Sequence, residues 1–316
     1  MLGKIGMKTF VFSSSCFLYM YILSGHAVNA LSAPSPLSRR KLGFITSLQK
    51  DGKCIRRNFI RNLFYLGIAN GFSEGASAAQ QAVLPDVGEI ARAIPSDDGW
   101  DDNLPFDPAT DFSRLDGSVD SKFYSETRFV EHVDENAVKL MEEYIAKELK
   151  DGDKVLDIGS SWTSHIRDAS RLSQVSGIGM NEAELKTNPT LTDFQVLDLN
   201  QNPSPKLPYP DKTFDVALCQ LSIDYFVHPL ELMKETSRVL RQGGKVIILF
   251  SNRLFLSKAV GVWTGADDID HAYTVGAYLH YCGDKCFESI RAYDLSLRSR
   301  GKVIGDPLYA VVAMKT

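Results

Sequence analysis

Between residues 136 and 150 the apolar positions Val138, Leu140, Met141, Ile145 and Leu149 recur at the spacing of one helical face. Lys147 and Lys150 near its end suit the negative pole of the helix dipole. A regular alternation follows. Short apolar runs at 155–158, 175–180, 194–199, 214–218 and 246–250 predict strands, and segments at 161–172, 182–185 and 229–240 have helical length or periodicity. The last of these carries Leu230, Leu232, Met233 and Val239 and reads as stopping at Gly243-Gly244. Runs that are apolar throughout suit central parallel strands, and their alternation with helices predicts an α/β, doubly wound sheet. Two further runs, 289–297 and 308–314, are joined only by a loop and predict an antiparallel hairpin at the sheet edge.

The first 120 residues follow other patterns. Lys4 and Lys8, an apolar stretch over 10–23 and the small residues Val28-Asn29-Ala30 have the order of a secretory signal. Residues 31–55 are rich in Ser, Arg and Lys and almost free of acids, as in a transit peptide. Arg56-Arg57-Asn58-Phe59-Ile60-Arg61, a weakly apolar 63–69 and Ala76-Ser77-Ala78 have the order of a twin-arginine export signal with its cleavage site, though a basic stretch of a longer transit peptide reads the same way. Residues 1–78 are therefore expected to be a targeting leader. Residues 79–120, with Pro95-Ser96-Asp97-Asp98-Gly99-Trp100-Asp101-Asp102, are expected to be an ordered but irregular acidic arm, or in part a linker, and 121–316 the folded domain.

Charge follows the same division. Ten of the 35 Lys and Arg residues but one of the 39 acids lie in the first 73 positions, so the body is acidic. Nucleic-acid affinity rests on Lys and Arg neutralising phosphates, so nucleic acid is not an expected partner. The five cysteines make no disulfide framework and have no zinc-site spacing, so no metal is expected.

In a doubly wound sheet, ligands sit beyond the carboxyl ends of the strands. Here those ends carry Asp157-Ile158-Gly159-Ser160-Ser161-Trp162-Thr163-Ser164-His165, then Gly179-Met180-Asn181-Glu182, Asp198-Leu199-Asn200, Gln220-Leu221-Ser222-Ile223-Asp224-Tyr225 and Ser251-Asn252-Arg253. With Leu207-Pro208-Tyr209-Pro210-Asp211 before one strand and Arg241-Gln242-Gly243-Gly244 before another, the set resembles the class I S-adenosylmethionine-dependent methyltransferases, most closely the type 11 branch, over residues 120–316. The run from Ser160 to His165 resembles a loop of a plastid and cyanobacterial subgroup.

The resemblance implies a Rossmann-like doubly wound seven-stranded sheet with an antiparallel C-terminal hairpin, and S-adenosylmethionine as cofactor. By matched position, Asp157, Gly159, Ser160 and Ser161 form the loop at the methionine end. Asn181 stands where an acid usually holds the ribose, Asp198 and Leu199 flank adenine, and Gln220 lies over the cleft. Phe123-Tyr124 and Arg128-Phe129 resemble a lid. The usual Asp-x-Gly-x-Gly-x-Gly loop has Ser161 and Thr163 in place of its later glycines, and Asn181 cannot ionise.

Methyl transfer needs mainly proximity and orientation, with a general base only where the acceptor must lose a proton. Asp224 with Tyr225, His165, His271 and the pair His280-Tyr281 are candidates for such a base, each with a structural role as the alternative. The expectation is methyl transfer to a small-molecule acceptor in a plastid, with the thylakoid lumen and its membrane as the finer location. A catalytically silent scaffold of the same fold is the alternative. A nicotinamide enzyme is disfavoured, because the first turn lacks Gly-x-Gly-x-x-Gly.

Overall fold

The computed structural model describes residues 88–316 apart from 91, 97, 98, 284 and 285. The predicted leader lies outside the described residues.

Eight strands form one sheet. In chain order they are β1 (Gly88–Glu89), β2 (Lys154–Ile158), β3 (Gln174–Gly179), β4 (Asp193–Val196), β5 (Phe214–Gln220), β6 (Leu240–Phe250), β7 (Phe287–Asp294) and β10 (Tyr309–Lys315). A separate small ribbon pairs β8 (Arg298–Ser299) with β9 (Lys302–Val303). The spatial order is β1-β7-β10-β6-β5-β2-β3-β4. Strands β6, β5, β2, β3 and β4 are mutually parallel, whereas β10 pairs antiparallel with β6 and with β7. The alternation and the terminal hairpin predicted from the sequence are both present. The eighth strand, β1, adds two residues of the acidic arm to the edge.

The helices are α1 (Pro108–Asp111), α2 (Asp120–Phe123), α3 (Glu135–Glu148), α4 (Glu182–Thr187), α5 (Pro229–Val239) and α6 (Asp268–Tyr281). The Asp134 carboxylate caps α3 through the Ala137 N–H at 2.9 Å, and Leu140, Met141, Tyr144 and Ile145 bury its apolar face. That face covers one side of the sheet with Val155, Val216, Ile247 and Leu249. The other side is covered by α5 and α6 together with Phe106 and Phe112 from the arm. Val246 to Phe250 are all buried, as the two-sided covering of a central strand requires.

Three local expectations are corrected. Residues 161–172 are not a helix and contain only the short turn Ala169–Arg171, because Ser164, His165 and Trp162 spend their polar groups on Asp157, Gln220 and Val130. Gly243 and Gly244 lie inside β6, which follows α5 directly. Helix α6 was not anticipated, since it buries His271, Ala272, Thr274, Val275, Gly276, Ala277, Tyr278 and Leu279 and shows no single apolar stripe. A capping box of Asp267 and Asp270 starts it.

Candidate active site

Strand β2 lies between β3 and β5, which leave it in opposite directions across the sheet, so a crevice opens above its carboxyl end. A cleft of about 340 Å³ occupies this point. The ends of β2, β3 and β5 form its floor, with the turn 198–200 at one side and residues 253–255 and the segment 120–133 above.

The floor is set by the first turn. Gly159 takes φ +74°, and a Cβ there would lie 2.7 Å from the Ser222 Cβ. A Cβ on Gly179, at the end of β3, would lie 2.1 Å from the Ser160 carbonyl oxygen. The two strand ends therefore approach as closely as glycine permits.

Asp157 is fully buried. Burial pushes its carboxyl up from the usual range, and hydrogen bonds from Ser164 and Gln220 work against that rise. The Ser164 hydroxyl donates at 2.6 Å, the Gln220 amide at 3.2 Å, and Asn188 donates to Ser164 in turn. The opposite end of the Gln220 amide faces Nδ1 of His165 at 3.0 Å, and Nε2 of the same ring meets the Glu131 carboxylate at 3.0 Å. Both ring nitrogens thus face acceptors. Burial opposes charge on the ring, but Glu131, Gln220 and Asp157 outweigh it and hold the His165 pKa above its ordinary value. A chain of polar contacts runs from the sheet to the covering segment through a histidine held at φ +50°.

Other contacts fasten that covering segment. The Trp162 indole donates to the Val130 carbonyl at 3.3 Å and packs edge-on to Phe129. The Asn181 amide donates to the Tyr124 carbonyl at 3.0 Å, and Glu184 accepts from the Arg128 N–H at 2.7 Å and from the Ser161 hydroxyl at 2.7 Å. Phe123 packs edge-on to Phe255 and Tyr124, in the position of the expected lid.

The expected cofactor residues come together: Asp157, Gly159, Ser160, Ser161, Asn181, Asp198, Leu199, Gln220 and Tyr124 all line the one cleft. Two have other tasks. Asn181 caps α4, its carbonyl oxygen accepting from Ala183 and Glu184 while its amide holds Tyr124. Ser161 is turned onto Glu184. The last residue of β3 is Gly179, so the strand end itself offers no carboxylate.

The base candidates separate. Tyr225 lines the cleft, its hydroxyl oxygen accepting from the Phe255 N–H at 2.9 Å. Asp224 lies beneath the cleft, not in it, and burial pushes its pKa up to about 8. His280 stacks on Trp100 at 4.5 Å, away from the cleft lining. His271 stacks on Trp263 at 4.2 Å and bonds the Trp263 carbonyl, also away from it. Sequence reasoning passed over His132, Arg128 as a charge, Glu131 and Phe255, all of which line the cleft. The sequence signal for the first three was proximity to the lid aromatics, and for Phe255 its place just after the strand end Ser251-Asn252-Arg253.

Within this fold lies a stretch similar to the methyltransferase domains. Residues 156–248 match the family model described as a methyltransferase domain. Among curated relatives, the chain is 30% identical over 94 residues to a malonyl-[acyl-carrier protein] O-methyltransferase of Marinomonas sp. (strain MWYL1), covering 30% of this chain and 33% of that protein. It is 33% identical over 123 residues to a sterol 4-C-methyltransferase of Caenorhabditis elegans, covering 36% of each. The chain thus spans about a third of the length of these relatives. Among solved structures, a SAM-dependent methyltransferase from Aquifex aeolicus aligns with a TM-score of 0.41 at 19% identity, over 67% of this chain and 100% of that one.

The donor set fits the cofactor. Met180, Leu197, Leu199 and Phe226 line an apolar part of the cleft suited to a purine, with Asp198 beside it. Of the contacts to the Asp198 carboxylate, the described residues supply one, from the Asn200 N–H at 2.9 Å. The carboxylates of Asp157, Glu131 and Glu184 around the glycine turn suit a sulfonium cation.

Proposed function

We propose that this domain transfers a methyl group from S-adenosylmethionine to a small-molecule acceptor. The observation that carries the reading is the continuity of the cleft, which joins the glycine turn and the 198–200 turn to a chamber walled by Tyr124, Tyr225 and Phe255. When bound, S-adenosylmethionine supplies a methyl group activated on sulfur. The chain's own part is to position and enclose. Asp198, Leu199 and the apolar wall orient the adenine end, and the turn from Gly159 to Ser161 approaches the methionine end. The Glu131–His165 pair and Trp162 draw the covering segment down over both. The scaffold alternative is not favoured, because the altered loop leaves the cleft open and the relatives are methyltransferases.

The relatives' names point to acceptors as different as an acyl thioester and a sterol, so the acceptor is taken from the cleft and not from them. The order of signals in residues 1–78 supports a plastid location, with the thylakoid lumen as its finer form and the thylakoid membrane as a neighbour.

Calorimetry of the full-length chain with S-adenosylmethionine and S-adenosylhomocysteine tests the activity. Micromolar binding of both is expected, with loss of both in Asp157→Ala. If neither binds, methyl transfer is refuted.

A further inference from the structure

Two side chains that line the cleft keep polar groups unmatched among the described residues. The first is Arg128. Its guanidinium carbon lies 4.6 Å from the centre of the Phe123 ring and 5.7 Å from that of Phe255, and one N–H donates to the Phe123 carbonyl at 3.1 Å. Among the described residues no carboxylate comes within 4.0 Å of it, whereas the neighbouring charges are matched. Asp120 meets Arg114 at 2.8 Å and Lys258 at 3.2 Å, Glu131 meets His165 at 3.0 Å, and Arg253 meets Asp306 at 2.6 Å. A guanidinium carries its donors as a planar fork, the geometry that holds a carboxylate on two parallel hydrogen bonds.

The second is His132. Its ring packs edge-on to Phe255, centre to centre 5.4 Å, and its nitrogens have no hydrogen-bond partner among the described residues. Burial lowers its pKa. Glu131 and Glu184 work against that, and Arg128 and His165 reinforce it, so the balance favours the neutral ring. A neutral imidazole with free nitrogens, facing a cleft, can take a proton. Arg128 and His132 both lie within 6 Å of the Phe255 ring centre, so a molecule the size of a substituted benzene reaches both.

We infer that the acceptor is a small hydroxylated aromatic acid, its carboxylate held by Arg128, its ring between the aromatic walls, and its hydroxyl presented to His132. This rests on the methyltransferase reading. As the acceptor oxygen forms its bond to the methyl carbon, its O–H bond breaks and the proton passes to a ring nitrogen of His132. The methyl carbon–sulfur bond breaks with its electron pair left on sulfur as the neutral thioether, and His132 later returns the proton to solvent.

The test uses the full-length chain saturated with S-adenosylhomocysteine, titrated calorimetrically with 4-hydroxybenzoate and with 3,4-dihydroxybenzoate. At least one should bind. Arg128→Gln should weaken that binding tenfold or more and leave the S-adenosylhomocysteine affinity within twofold, with Arg128→Lys intermediate. Phenol, lacking the carboxylate, should be indifferent to the substitution. His132→Gln should leave binding of the acid within threefold, slow its methylation in a single turnover about a hundredfold, and remove the fall in rate at low pH. The inference is overturned if neither acid binds while S-adenosylhomocysteine does. It is equally overturned if Arg128→Gln and Arg128→Lys cost cofactor and acid alike, which would assign Arg128 to the cofactor, or if His132→Gln leaves the rate unchanged. Failure of S-adenosylhomocysteine to bind the unaltered chain would strike at the methyltransferase reading itself.

Discussion

At the scale of single residues, His165 and Asp224 are displaced from ordinary titration for opposite structural reasons. Glu131, Gln220 and Asp157 together raise the His165 pKa against its burial. A raised histidine contributes stability that is whole below the unfolded value of about 6.5 and is lost as pH climbs through the native value. His165→Gln should therefore cost about 1–2 kcal/mol near pH 6, a modest figure because Glu131 is partly exposed, and progressively less in alkaline buffer. Thermal melts of both proteins across pH 5.5–9 check this, and a gap that widens with pH would contradict it. Asp224 works the other way. Its carboxyl stays protonated in the fold up to about pH 8 but ionises in the unfolded chain above about 4, so it draws the folded state down as pH rises between those values. Asp224→Asn should be nearly neutral at pH 4.5 and stabilising at pH 7.5. Both residues were visible in the sequence as titratable groups near a strand end. Which of them reached the cleft was not, because that depends on one residue of register after β5 and on a left-handed turn at His165.

At the scale of elements, the strands were legible and the loop between β2 and β3 was not. Buried parallel strands announce themselves as apolar runs, and the predicted runs fall on β2 to β6. A loop that wraps a cleft carries no periodic signature, and Ser161 to Leu172 has the length of the helix it replaces. Helix α6 escaped for the complementary reason, being buried on nearly all sides. Gly159 stands in the loop the resemblance singles out, while Gly179 shows the sharper constraint, with the Ser160 carbonyl where its side chain would be. Gly179→Ala should separate β2 from β3 at the cleft and cost about 3 kcal/mol. Chemical denaturation measures the loss. A variant of unchanged stability would mean that the first turn can shift by more than an ångström without consequence.

Lys258 is another element-scale device. It is fully buried between Asp116 at 3.1 Å and Asp120 at 3.2 Å, and donates to the Ser118 carbonyl at 2.9 Å, so it ties the loop after β6 to the segment that begins the cleft cover. Removing one member of a buried charge cluster leaves the others uncompensated, and Lys258→Met should cost about 3–5 kcal/mol. Because Asp120 also holds Asn200 at 2.8 Å, beside the 198–200 turn, cofactor affinity should fall together with stability.

At the scale of the whole molecule, the described part of the irregular arm, residues 88–120, packs on the domain that follows it. Irregular the arm is, but it is no linker. Phe106 and Phe112 pack on Tyr278 with ring centres 5.4 and 5.9 Å away, and Trp100 stacks on His280 and Tyr273. The backbone of Val262 donates to the Asp111 carbonyl and that of Gly261 to Ser113, while β1 closes the edge of the sheet on β7. A stretch dense in Asp, Pro and Gly conceals such anchors, because a few aromatics at irregular spacing produce no pattern. Each buried Phe is worth roughly 1.5–3 kcal/mol, against a total stability of about 5–15 kcal/mol for a domain of this kind. Beginning the chain at residue 121 should therefore remove most of the margin, expose Tyr278 and the face of α6, and give a protein that aggregates or melts far below the full chain. Beginning it at residue 79 removes none of these contacts and should leave the melting temperature and the S-adenosylhomocysteine affinity unchanged. Paired melts and calorimetry of the two truncations decide between a domain that starts at α2 and one that includes the arm, and equal stability of the two would make the arm a linker.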